Sequence, residues 1–141
     1  MRRALTRAVV DRIYAALGRG DPGPALRAFS ARGRLHFPGE HSWAIDTTDA
    51  QARRAWFERF AAARPDLRAH DVVVSGWPWR MSVCVVFEDS LRDETGAVAY
   101  RNQGVQYLQL RWGKIVLDQL VLDTQRVAAY DVHSSDAAPS E

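Results

Sequence analysis

Apolar and polar positions alternate through Tyr100 to Arg111 and again through Lys114 to Asp123, and Trp112-Gly113 between them predicts a tight turn whose glycine takes a positive φ. These runs read as a long β-hairpin with one drier and one wetter face. Upstream, the spacing changes to that of helices. Leu5, Val9, Val10, Ile13, Tyr14 and Leu17 form one stripe, which predicts a helix from about Ala4 to Leu17, stopped by Gly18 and Gly20. Asp21 can cap a short second helix, since Pro22 and Pro24 are tolerated in a first turn and Ala25, Leu26 and Phe29 continue it. A short strand, Arg34 to Phe37, ends at Pro38-Gly39, and Glu40 to Thr47 lacks periodicity and reads as a loop. Thr48 or Asp49 then caps a third helix to about Ala63, with Ala52, Trp56, Phe60 and Ala63 inward and Pro65 ending it.

Leu67 to Ser75 and Arg80 to Asp89 read as strands separated by a turn or bulge at Gly76-Trp77-Pro78-Trp79, and Leu91 to Gly96 is a polar turn leading into the hairpin. A brief helix, Thr124 to Tyr130, follows, and His133 to Glu141 is small, polar and expected to fray. Helices first and antiparallel strands afterwards predict an α+β fold, with three N-terminal helices packed on one face of a strongly curved, mostly antiparallel sheet. The expected organisation is one domain over residues 1–132 and a flexible tail over 133–141.

Composition narrows the function classes. No run approaches the roughly 18 to 20 apolar residues of a membrane span, and Asp11 and Arg12 interrupt the N-terminal stripe, so no signal peptide is read and a cytoplasmic location is expected. The formal net charge is +2 and the basic residues are scattered, which gives no stripe to follow a phosphate backbone; nucleic acid is not an expected partner. The single cysteine, Cys84, lies in the apolar run Met81 to Phe87, excludes an intrachain disulfide and reads as a small buried hydrophobe.

Five segments in this order carry a family resemblance: VVDRIYAALGRGD at 9–21, LHFPGEHSWA at 35–44, Tyr100 with Asn102, GKI at 113–115 and LDTQRVAA at 122–129. The chain resembles the SnoaL-like proteins of the nuclear transport factor 2-like (NTF2-like) superfamily, which include polyketide cyclases, ketosteroid isomerase and limonene epoxide hydrolase. The resemblance implies a cone in which sheet and helices enclose an apolar pocket, no cofactor, and a homodimer formed through the outer sheet face.

It also locates what is missing. The tyrosine, first-strand aspartate and second acid of the isomerases fall on Ile13, Phe37 and Gln106, and the hydrolase base falls on Leu120. If position 120 faces the pocket, the two-residue strand period puts Asp118 and Leu122 beside it, and puts Asn102, Gly104, Gln106 and Leu108 inward on the neighbouring strand. Asp118, Gln106 and Asn102 are therefore the candidate catalytic set. Asp118 would act as a general base if apolar walls raise its pKa, and the amides would bind a carbonyl or enolate.

Tyr14, His36, Trp43, Trp56 and Leu120 are the candidate substrate-binding residues. Tyr14 is turned about 100° from the isomerase position. Strand alternation puts His36 opposite Phe37. His36, Glu40 and His41 match no strong metal motif and His70 and His133 are distant in sequence, so no metal site is expected. Asp123 is read as the cap of the last helix. Three readings remain open: a cofactor-independent cyclase or isomerase acting on an apolar or polyketide-like carbonyl compound, a noncatalytic pocket for an apolar or aromatic molecule, and a dimerisation or interaction module.

Overall fold

The computed structural model describes residues 2–137, with side chains to residue 132. In chain order the elements are α1 (Arg2–Gly18), α2 (Gly23–Ala28), β1 (Phe29–Phe37), β2 (Ile45–Thr47), α3 (Ala50–Ala62), β3 (Asp66–Trp77), β4 (Arg80–Arg92), β5 (Val98–Arg111), β6 (Lys114–Leu122) and α4 (Thr124–Ala137). The strands form one curved sheet in the order β2-β1-β6-β5-β4-β3. Neighbours run antiparallel except β1 and β6, which are parallel. The fold is the expected α+β arrangement, with helices gathered against the inner sheet face.

Local chemistry explains where elements start and stop. Asp49 caps α3 by accepting a hydrogen bond from the Ala52 amide at 2.8 Å. Asp123 does the same for α4, accepting from Gln125 and Arg126 amides at 3.1 and 3.4 Å. At the hairpin, Trp112 and Gly113 both have positive φ, 50° and 78°, the signature of a type I′ turn matched to strand twist. Arg53, buried in α3, donates to the carbonyls of Gly33 at 2.9 Å and Ser30 at 3.3 Å. It thereby secures the irregular stretch where β1 shifts register against β6.

Several expectations need correction. Glu40 to Thr47 is not all loop, because Ile45–Thr47 pairs with Leu35–Phe37 as β2. β1 starts at Phe29, within what reads as the end of the second helix. Leu5 and Val9 leave the predicted stripe for solvent. In α3 the buried side chains are Arg53, Trp56, Phe57 and Ala61, while Ala63 is exposed. Cys84 is half-buried on the outer face of the sheet, between Val73 and Tyr107, and not in the core. The last helix runs on to Ala137, through the first part of the expected tail, and residues 138–141 lie outside the described residues.

The core fills the space between the helices and the inner sheet face with Tyr14, Leu17, Leu35, Trp56, Phe57, Val85 and their neighbours. The packing is not complete, and the remaining space is the cavity described next. Among the described residues no helix is long and apolar enough to cross a membrane.

Candidate functional site

The cavity has a volume of about 100 Å³, several times what one water molecule needs. Its wall is mostly aromatic and aliphatic. Phe37 comes from the end of β1, Trp43 from the following loop, Trp56 from α3 and Leu120 from β6. Trp43 and Trp56 meet edge to face with ring centres 5.8 Å apart, and the Trp56 indole donates to the Trp43 carbonyl at 2.9 Å. The Arg59 guanidinium lies 3.8 Å from the Trp43 ring centre and holds it from the solvent side.

One polar chain crosses this wall. The Tyr14 hydroxyl donates to Gln106 Oε1 at 2.8 Å, and Gln106 Nε2 donates to both Asp118 oxygens, at 3.0 and 3.1 Å. Each link follows from a strand or helix position. Gln106 lies opposite Leu120 and Asp118 opposite Leu108 in the β5–β6 ladder, so all four side chains share the inner face. Tyr14 descends from α1 against Phe87, with ring centres 6.2 Å apart. The rotation of about 100° from the isomerase position does not carry its ring out of the cavity, because Tyr14 and Ile13 both reach the wall.

Asp118 is only 2 % exposed. Burial disfavours its charged form and raises its carboxyl to about 7, against the opposing effect of the Gln106 hydrogen bond. Burial, followed by the charges of Asp118 and Asp89, pushes the Tyr14 hydroxyl well above its ordinary value. Tyr14 therefore stays protonated as a donor at neutral pH, and the amide of Gln106 is oriented from both ends.

Two expected site residues do not stand on the cavity wall. Asn102 is buried, but its Nδ2 donates to the Tyr100 hydroxyl and the Asp123 carbonyl, both at 2.9 Å, and its Oδ1 accepts from the Gln103 amide at 2.8 Å. With those partners the amide positions Tyr100 and the start of α4. His36 is carried to the opposite side of β1 from Leu35 and Phe37 by the strand period, level with Gln119 and Asp46 on the neighbouring strands. Among the described residues no three histidine, cysteine or carboxylate side chains converge as a metal-ligand set.

The wall also holds two groups that the sequence does not mark as site residues. Asp89 on β4 is 7 % exposed, and burial lifts its carboxyl to about 7. Tyr100 on β5 is buried beside it, and its hydroxyl is raised first by burial and then by the charge of Asp89. The signal for Asp89 is in the sequence: Val83, Val85, Phe87, Asp89 and Leu91 keep one two-residue rhythm, and all five are buried.

No protein-family model matches the sequence, and comparison with curated proteins finds no match. Solved structures do match. An NTF2-like protein from Burkholderia xenovorans LB400 superposes with a TM-score of 0.64 at 20% identity, over 88% of this chain and 93% of its own. A candidate polyketide cyclase from Xanthomonas campestris pv. campestris gives 0.60 at 18% identity, over 92% and 98%. TerC, co-crystallised with polyporic acid, gives 0.63 at 15% identity, over 84% and 91%. These likenesses span nearly the whole of each chain, and with the strand order and the cavity on the concave side of the sheet they establish that the chain has the NTF2-like fold.

Proposed function

We propose that the protein binds a small, largely apolar carbonyl compound in the cone and that Asp118 moves a proton on the carbon next to the carbonyl. The observation that carries this reading is the Tyr14–Gln106–Asp118 chain, which ends on a buried carboxyl with a pKa of about 7 in an otherwise apolar wall. A base near the working pH is the most effective kind. In the step, an ionised Asp118 oxygen takes the proton, and the C–H electron pair becomes the new C=C bond of an enolate. The carbonyl π pair moves to oxygen. The two Asp118 oxygens share one Gln106 Nε2 hydrogen, which leaves the second for that oxygen. Where a neighbouring C=C extends the enolate, return of the proton to the far carbon of that C=C, which shifts into conjugation with the restored carbonyl, completes an isomerisation. A cyclisation instead uses the enolate carbon to attack a second carbonyl. Trp43, Trp56 and Leu120 supply the flat apolar surfaces that hold the ring. The likeness to a candidate polyketide cyclase and to a protein crystallised with polyporic acid supports an aromatic or polyketide-like ligand.

Exchange in D₂O tests it without knowledge of the natural substrate. With 2-tetralone as probe, the wild type is expected to accelerate deuterium incorporation beside the carbonyl, read by proton NMR. The rate should rise with pH to a plateau above about 7, as Asp118 loses its proton. Asp118→Asn is expected to lower it by about 10²- to 10⁴-fold. Equal exchange by wild type and Asp118→Asn would remove Asp118 as the base; binding of 2-tetralone without exchange would leave a noncatalytic pocket.

A second reading concerns the outer sheet face and is compatible with the first. Val86, Val105 and Val121 stand level across β4, β5 and β6, beside a row formed by Val73, Cys84 and Tyr107. Val73, Val86 and Val121 are exposed. We propose that this face pairs two copies of the chain, since contiguous exposed valines on a broad sheet have more to gain from a second apolar sheet than from water.

A further inference from the structure

Three buried side-chain polar atoms have no hydrogen-bond partner among the described residues: His36 Nδ1, Arg53 Nε and Asp89 Oδ1. Only Asp89 belongs to the cavity wall. Its neighbours explain what is missing. Across the β4–β5 ladder Asp89 lies opposite Asn102 and Leu91 opposite Tyr100, so Asp89 and Tyr100 are diagonal neighbours on the inner face. The Tyr100 hydroxyl accepts from Asn102 Nδ2 at 2.9 Å, and its own proton has no acceptor among the described residues. The corner thus sets beside the cavity an Asp89 carboxyl with acceptor capacity to spare and the hydroxyl of Tyr100.

We infer that Asp89 and Tyr100 form a second polar subsite that takes a hydroxyl group of the ligand, the hydroxyl donating to the Asp89 carboxylate and accepting from the Tyr100 hydroxyl. A ketone has no proton for the ionised Asp89 carboxylate and an ammonium would leave Tyr100 unused, whereas a phenol, enol or alcohol satisfies both. Burial lifts the Asp89 carboxyl to about 7, as expected of a group desolvated in advance of its partner. This corner is distinct from the Asp118 end of the cavity, because Asn102 and Leu108, their respective partners on β5, are six positions apart. The two ends flank Tyr14, whose hydroxyl is raised by both charges. The inference rests on the cone being a ligand cavity, and it narrows the substrate class to ring compounds bearing a hydroxyl remote from the reacting carbon.

Calorimetric or NMR titration of the full chain with 2-naphthol and with naphthalene tests it. The wild type should prefer 2-naphthol by at least about tenfold. Asp89→Leu should abolish that preference, Asp89→Asn should keep part of it through the remaining carbonyl, and Asp118→Asn should leave it in place. Without ligand, Asp89→Leu should melt at a higher temperature than the wild type, since an unpaired buried carboxyl is replaced by an apolar side chain. A preference that survives Asp89→Leu and Asp89→Asn, or that disappears in Asp118→Asn instead, would overturn the subsite. So would equal binding of the two compounds by the wild type, no binding of either, or a lower melting temperature for both Asp89 variants. Failure of Asp118-dependent exchange with the naphthol preference intact would strike the proton-transfer reading and leave this one standing.

Discussion

Asp118 and Asp89 each carry a carboxyl raised from 3.8 to about 7, with burial as the main cause. Between those values the folded chain holds protons that the unfolded chain has released, so stability falls as pH rises toward about 7 and levels off above it. Each group contributes on the order of 4 kcal/mol to the whole of that fall. Urea unfolding should therefore give a more stable protein at pH 5 than at pH 8, and Asp118→Asn should remove about half of the difference; a wild type that is equally stable at both would show that these carboxyls ionise normally. The two residues differ in how far the sequence discloses them. Strand rhythm and the alignment at Leu120 put Asp118 inward. Asp89 keeps the same rhythm on β4, but a charge at the edge of an apolar run reads as the strand's solvated end, and β4 in fact continues to Arg92. Tyr14 shows a different limit: the angle around a helix is legible in sequence, but how far a ring reaches is not. The partners that occupy Asn102 are equally hidden, because one of them, the Asp123 carbonyl, is backbone.

At the scale of elements, α1 shows why an apolar stripe can mislead. The first turns of α1 run beside β3, the sheet edge, where Arg3 Nε donates to the Val72 carbonyl at 3.0 Å and Arg7 to that of Ala69 at 2.7 Å. Arginines cover the edge-strand carbonyls there, and Leu5 and Val9 are left facing water. The stripe is faithful where α1 crosses the cavity, at Val10, Ile13, Tyr14 and Leu17. The β5–β6 hairpin was legible throughout, since alternation and a Gly-containing turn act over neighbouring residues. β2 was not, being three residues long and specified by its pairing with β1. The hairpin turn also has a local weakness. Trp112 holds φ at 50° and is 80 % exposed, although after glycine asparagine is the residue that tolerates this conformation best. Trp112→Asn should stabilise the fold by about 0.5–1 kcal/mol, seen as a higher melting temperature. A decrease would mean that the contact of Trp112 with Trp79, ring centres 6.5 Å apart, outweighs the backbone strain.

At the scale of the whole molecule, the proposed pairing of two sheets predicts a particle of about 32 kDa, twice the 15.9 kDa of one chain. Val121→Arg, placing a charge at the end of the valine row, should halve the mass seen by light scattering and leave 2-tetralone binding intact. A wild type that stays at the mass of one chain at tens of micromolar would dismiss the pairing. The sheet has a consequence for how the chain is made as well. β1 is joined in parallel to β6, across everything in residues 38–113. At a synthesis rate of about 5–20 residues per second, β1 waits roughly 4 to 15 s for that neighbour. Meanwhile its edge is open to other strands, which makes the nascent chain a client for any chaperone that shields extended segments. β6 is also the strand that brings Asp118, so a chain interrupted before it lacks both the middle of its sheet and the proposed base.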